Sequence, residues 1–219
     1  MKNFSIPEYP QLQLGSIYCI GRNYAKHVEE MNSEILDDPV VFLKPRSSVI
    51  FSGGRVILPE SSNNVHHEVE LVLMVGELTH KATVVEAQIA IKAVAVGLDI
   101  TARDLQADAK QKGLPWALAK GFHTFAPVGN FAELNEETDL QNLDLWVNVN
   151  GETRQHGNTE MMLFSSAEIV SYLSRHVVLN PGDLIFTGTP EGVSQITDGD
   201  TVEAGLGDHI SSLKVYVQV

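Results

Sequence analysis

The segment His66-His67-Glu68-Val69-Glu70-Leu71-Val72-Leu73-Met74-Val75 places two carboxylates one residue apart at the head of an apolar run. Read as a strand, its side chains alternate, so Glu68 and Glu70 share a face about 7 Å apart. That same parity continues through Val72 and Met74, so the face turns apolar within one residue. Carboxylates entering a buried face must be neutralised, paired or metal-bound, because an isolated buried charge is very costly. Metal ligation, a structural ion pair and plain exposure are the readings open to them. His67-Glu68 begins an H-E-x-x-H pattern, but its last position is Leu71, and residues four apart do not converge on a strand. All-oxygen ligation points to Mg²⁺ or Mn²⁺ rather than zinc.

Other chemistry-bearing residues are scattered. Asp99 closes the apolar run 93–98 and is well placed for a pocket, although a lone Asp is usually a cap or turn residue. Arg103, Asp104 and Gln106 follow at a helix start, and Lys120 lies beyond the loop 113–119. Arg and Lys near an acidic metal site suit a carboxylate substrate; elsewhere they are a solvated helix face. His27 and Glu30 are three apart, neighbours on a helix, where a carboxylate orients an imidazole. That is the minimum apparatus for a general base acting on water, though such pairs are also common on exposed helices. The acidic segment 27–38 has few apolar anchors and is expected to act as a lid.

The elements that must position these residues are mainly strands. Residues 16–20 and 40–43 are short apolar runs, and 65–75 is a longer strand. Residues 143–149 alternate up to Asn150-Gly151, a strong hairpin signal. The final segment alternates with Leu213, Val215, Val217 and Val219 on one face. Three helices are expected: after the capping box Thr83/Glu86 over 87–93, after Thr101/Asp104 over 105–112, and after Ser165/Glu168 to about residue 175. No linker or composition shift divides residues 1–219, so a single α+β domain is expected.

The bulk properties narrow the function. The net charge of −13, from 15 basic and 28 acidic residues, disfavours nucleic acid and anionic membrane as partners. No apolar run approaches the roughly 20 residues of a membrane span. The N-terminal residues have neither signal-peptide nor transit-peptide character, which makes a cytoplasmic location the expectation. Cys19 has no partner for an intrachain disulfide and falls in an apolar run. Nucleophile-elbow, phosphate-loop and dinucleotide-binding signatures are missing.

Taken in order, several stretches resemble the fumarylacetoacetate hydrolase family, and within it the short acylpyruvase-like members. They are G-R-N-Y-A-K-H at 21–27, V-F-L-K-P at 41–45, H-H-E-V-E at 66–70 and L-D-I-T-A-R-D at 98–104. G-L-P-W-A-L-A-K at 113–120, V-N-G-E-T-R at 149–154 and P-G-D-L-I-F-T-G-T-P-E-G at 181–192 complete the set. The resemblance implies a mixed β-roll or sandwich with a few short helices, assembled as a homodimer. It places metal ligands at Glu68, Glu70 and Asp99, and a catalytic set at His27, Glu30 and Lys120. Substrate contacts fall on Lys44, Arg103, Gln106, Gly188 and Thr189.

The reaction so implied is Mg²⁺- or Mn²⁺-dependent cleavage of an acylpyruvate, a 2,4-dioxo acid, to pyruvate and a carboxylic acid. His27, held by Glu30, would take a proton from the attacking water, and Lys120 would steady the pyruvate enolate that leaves. The same enolate arises in decarboxylation or tautomerisation of oxaloacetate, the second reading, and in an isomerase or decarboxylase of aromatic catabolism, the third. An inactive protein that only binds metal and oxo acid is the alternative of a different class. Intact His27, Glu30 and Lys120 argue against it, since binding alone needs no base.

Overall fold

A computed structural model describes residues 5–31, 34–135 and 138–219. The architecture is a mixed roll of curled sheets with few helices. The largest sheet runs, edge to edge, Val40–Lys44, Ile17–Gly21, Leu184–Phe186, Val69–Val75, Ile91–Leu98, Ala126–Val128 and Val49–Phe51, with Ala132–Glu133 also paired to Ile91–Leu98. Leu184–Phe186 is parallel to Ile17–Gly21 but antiparallel to Val69–Val75, which makes the sheet mixed. A second sheet orders Glu152–Asn158, Asp144–Val149, Thr201–Leu206, Ser211–Gln218 and Arg55–Ile57.

Every residue of Val69–Val75 is buried, because both faces of this central strand are covered. Val69, Leu71 and Leu73 pack in a core shared with Leu145, Val147 and Val215 of the second sheet. Val72 and Met74 face a smaller core with Cys19, Phe131 and Phe186. Glu70 has the parity of Val72 and Met74, so it is driven into the interior by the same alternation that buries them.

The expected strand 65–75 is interrupted. Val65–His67 belongs to a three-stranded sheet with Thr101–Ala102 and Ser194–Gln195, while Val69–Val75 joins the large sheet. Glu68 occupies the step between them. Its carbonyl accepts the Asp99 N–H at 2.8 Å, so the backbones carrying two of the acidic residues are tied together.

Two capping boxes form as expected. Thr83 with Glu86 starts the helix Val84–Ala90, and Ser165 with Glu168 starts Ser166–His176. The first helix stops before residue 91, since Ile91–Leu98 is a strand paired along Val69–Val75. Thr101 does not cap the helix Arg103–Gln111, which begins after Ala102 without a side-chain cap. Pairing of Thr101 with His66 holds it in a strand, its hydroxyl donates to the Asp99 carbonyl, and Asp104 instead accepts from Ser62 and the Asn63 N–H. Asn150 and Gly151, with φ of 52° and 82°, turn the hairpin between Asp144–Val149 and Glu152–Asn158. Leu213, Val215 and Val217 are buried, whereas Val219 lies beyond the strand and is exposed. Residues 32 and 33 of the expected lid lie outside the described residues; His27 to Glu30 fall in the helix Ala25–Glu30. Among the described residues no helix is long and apolar enough to cross a membrane.

Candidate metal centre and active site

Glu68, Glu70 and Asp99 converge. One carboxylate oxygen from each lies within 4.8 Å of the others, and all three residues are buried. The strand step presents Glu68, strand alternation presents Glu70, and Asp99 leaves the end of Ile91–Leu98. Around them stand three buried or nearly buried cations. Lys120 Nζ bonds Glu68 Oε2 at 2.8 Å and Asp99 Oδ2 at 2.5 Å. Arg103 pairs with the other Glu68 oxygen and donates to Gln106 Oε1 at 2.7 Å. Lys44 Nζ lies 2.6 Å from Asp99 Oδ1.

The three N–H bonds of Lys44 go elsewhere, to the carbonyls of Ile100, Lys120 and Phe125. Lys44 therefore touches Asp99 Oδ1 by charge alone, and that buried oxygen accepts no hydrogen bond. An orphaned carboxylate oxygen within reach of two further carboxylates fits a hard divalent cation, and the donor set is all oxygen. Lys44 was expected at the substrate. It sits instead against Asp99, fully enclosed, and does not line the cavity, because the carbonyls of Ile100, Lys120 and Phe125 hold its ammonium in the interior.

The acid groups do not share one electrostatic state. Burial pushes the Glu70 carboxyl well above its ordinary 4.5, and the neighbouring Asp99 and Glu68 charges push it further. Burial also opposes ionisation of Glu68, but Lys120 and Arg103 outweigh it and hold Glu68 well below that range. Lys120 is kept charged in the same way: burial works against its ammonium, and Asp99 and Glu68 overcome it. Glu70 is the member of the triad without a lysine or arginine of its own.

The Gly188 N–H supplies its partner, at 2.7 Å from Glu70 Oε2. Gly188 adopts a φ of 100°, and a Cβ there would meet Asn23 Cβ at 2.8 Å, so only glycine turns the chain here. Gly188 thus serves the acid cluster through its backbone and is not among the residues lining the cavity, where a substrate role was expected. Thr189, the next residue, does line it.

His27 Nδ1 lies 3.0 Å from Glu30 Oε2, and His27 opens onto the same cavity as the carboxylates. The other Glu30 oxygen accepts the Gly192 N–H at 3.1 Å, so the helix bearing the dyad is docked onto the turn that follows Thr189. Lys26 and Glu191 reinforce that contact at 3.3 Å. The cavity, of about 40 Å³, is lined by His27, Glu68, Glu70, Asp99, Arg103, Gln106, Lys120 and Thr189, with Arg22, Lys110 and Trp116 among its other walls.

Gln155 was not anticipated. This buried side chain on Glu152–Asn158 accepts the Val69 N–H at 3.0 Å and contacts His67 Nδ1 at 2.9 Å. Its amide donates to Thr189 Oγ1 at 2.9 Å and to the Pro190 carbonyl at 2.8 Å. One amide thus fixes the strand step at Glu68 and orients the Thr189 hydroxyl. The only hint in sequence is that Gln155 directly follows the V-N-G-E-T-R stretch at 149–154.

The chain matches the fumarylacetoacetate (FAA) hydrolase C-terminal family over residues 16–218, and it belongs to that family. It is 44% identical over 203 residues to the mitochondrial oxaloacetate tautomerase FAHD1 of Mus musculus, covering 93% of this chain and 91% of that protein. The Arabidopsis thaliana protein of the same name is 44% identical over 190 residues, 87% and 85% of the two chains. The fold is also that of a fumarylpyruvate hydrolase from Pseudomonas aeruginosa solved with Mn²⁺ and pyruvate, with a TM-score of 0.91, 35% identity and coverage of 98% and 94%.

Proposed function

We propose that this protein is a Mg²⁺- or Mn²⁺-dependent enzyme that interconverts the enol and keto forms of oxaloacetate. The observation that carries this is the convergence of Glu68, Glu70 and an unbonded Asp99 oxygen in one small cavity with Lys120. Relatives sharing 44% identity over nearly their whole length and bearing the tautomerase name support the choice of reaction.

Glu68, Glu70 and Asp99 would hold the cation, which when bound supplies Lewis acidity toward the 2-oxo oxygen of the substrate. Tautomerisation moves one proton between that oxygen and C3. Lys120 is placed to carry it: its ammonium lines the cavity beside Asp99 and Glu68, and it would give a proton to C3 of the enol and take the hydroxyl proton in return. Arg103 and Gln106 bind and orient the substrate carboxylate, and Thr189 offers a hydroxyl held by Gln155.

Acylpyruvate cleavage is the second reading, favoured by the assembled His27–Glu30 pair, which is the apparatus for activating water. The two are separated by assaying the purified protein with Mg²⁺ on enol-oxaloacetate, acetylpyruvate and fumarylpyruvate. Accelerated loss of enol absorbance without acylpyruvate cleavage supports tautomerisation; cleavage with no effect on the enol overturns it in favour of the hydrolase.

A further inference from the structure

The positive charge around the cavity falls into two groups. Arg103 and Lys120 are answered by Glu68 and Asp99. Arg22 and Lys110 line the same cavity, and among the described residues neither forms an ion pair with a carboxylate. In a chain of net charge −13, two unanswered cations facing one cavity are unexpected on composition alone.

Each is held where it is by local structure. Arg22 follows the strand Ile17–Gly21 with a φ of 63°, in the left-handed region that non-glycine residues seldom occupy. Its Nε is buried without a hydrogen-bond partner, and Nη1 makes only a long contact of 3.4 Å to the Glu34 carbonyl. Lys110 projects from Arg103–Gln111 with its ammonium 5.4 Å from the centroid of the Trp116 ring, another wall of the cavity. Burial, then the nearby charges of Arg103 and Arg22, lower the Lys110 pKa, which places the four cations within one field.

A 2-oxo acid whose carboxylate and oxo group are met by the acidic triad's cation, Arg103 and Lys120 leaves Arg22 and Lys110 unmet. We infer that Arg22 and Lys110 form a subsite for a second, distal carboxylate, so that the protein selects dianionic 2-oxo acids over monoanionic ones of the same length. This rests on the reading of the site as one that binds 2-oxo acids. It goes further by naming the residues that select the charge of the remote end.

The test is equilibrium binding in saturating Mg²⁺ of two stable compounds, 2-oxoglutarate and 2-oxopentanoate, which differ in whether the far end is a carboxylate or a methyl. The wild type should prefer the dianion by about tenfold or more, equivalent to about 1.4 kcal/mol. Lys110→Met and Arg22→Gln should each remove most of that preference while leaving 2-oxopentanoate binding within about twofold, and Arg22→Lys should restore part of it. Lys110 is on an exposed helix face, so its variant reports even if changing Arg22 disturbs folding. Equal wild-type affinity for both compounds, or variants that weaken both ligands alike, would overturn the subsite. Binding of neither compound by the wild type would instead remove the proposed function on which it rests.

Discussion

Lys44 Nζ stands 2.6 Å from Asp99 Oδ1, yet gives its three N–H bonds to the carbonyls of Ile100, Lys120 and Phe125. One ammonium thus fixes the chain around Lys120 and compensates the Asp99 charge while leaving that oxygen free to bind. Lys44→Met should destabilise the fold by about 3–5 kcal/mol, the usual result of removing one partner of a buried charge pair. Arg should not substitute, since a planar guanidinium cannot reach three carbonyls arranged around one nitrogen. Denaturant unfolding of the metal-free protein is the measurement; a loss under 1 kcal/mol would contradict this account.

Metal binding has a direct thermal signature. Mg²⁺ or Mn²⁺ at a hundred times its Kd should add about 2.7 kcal/mol to stability, and chelation should reverse the rise in Tm. Glu70→Ala should abolish the shift. Since Glu70 lacks a basic partner of its own, this variant leaves no lysine or arginine stranded and should fold. A metal-induced rise in Tm that persists in Glu70→Ala would show that the cation binds elsewhere.

His27 separates the two candidate reactions. Attack by water needs a positioned base, worth roughly 10²–10⁴-fold, whereas proton exchange at C3 is assigned to Lys120. His27→Ala should therefore reduce any acylpyruvate cleavage by that factor and enol-oxaloacetate turnover far less. Lys120→Met should depress both. Equal losses on both substrates in His27→Ala would mean that His27 serves the binding geometry and not water.

Gln155 links the strand step at Glu68 to the Thr189 turn. Gln155→Leu leaves the Val69 N–H and the Pro190 carbonyl without their partner, at roughly 1–3 kcal/mol for each buried group left unmet. In the folded variant KM should rise more than kcat falls, because the Thr189 hydroxyl loses its orientation. If Thr189→Val raises KM to the same extent and the double variant is no worse than either alone, the two act through one contact. Additive effects would place Gln155 outside substrate binding.

Several elements were legible in the sequence by local rules alone, whereas the mixed β-roll and the membership of Asp99 in the acidic triad followed from the resemblance of its ordered motifs to a family. Strand alternation sends Glu70 to the face of Val72 and Met74, two capping boxes start two helices, and Asn150-Gly151 turns a hairpin. What only the tertiary structure decided depends on contacts between residues far apart in the chain. The docking of Glu30 onto Gly192 and the hub at Gln155 join segments more than 80 residues apart, and the step that frees Glu68 from its strand needs Val65–His67 to pair with both Thr101–Ala102 and Ser194–Gln195. Lys44 was expected to meet substrate because the family resemblance placed a substrate contact there. The register Ile17↔Lys44 instead sets it against Asp99, where three carbonyls and a carboxylate surround it. Charge type is written in the sequence; whether a charge faces the cavity or the core is decided by which strands pair.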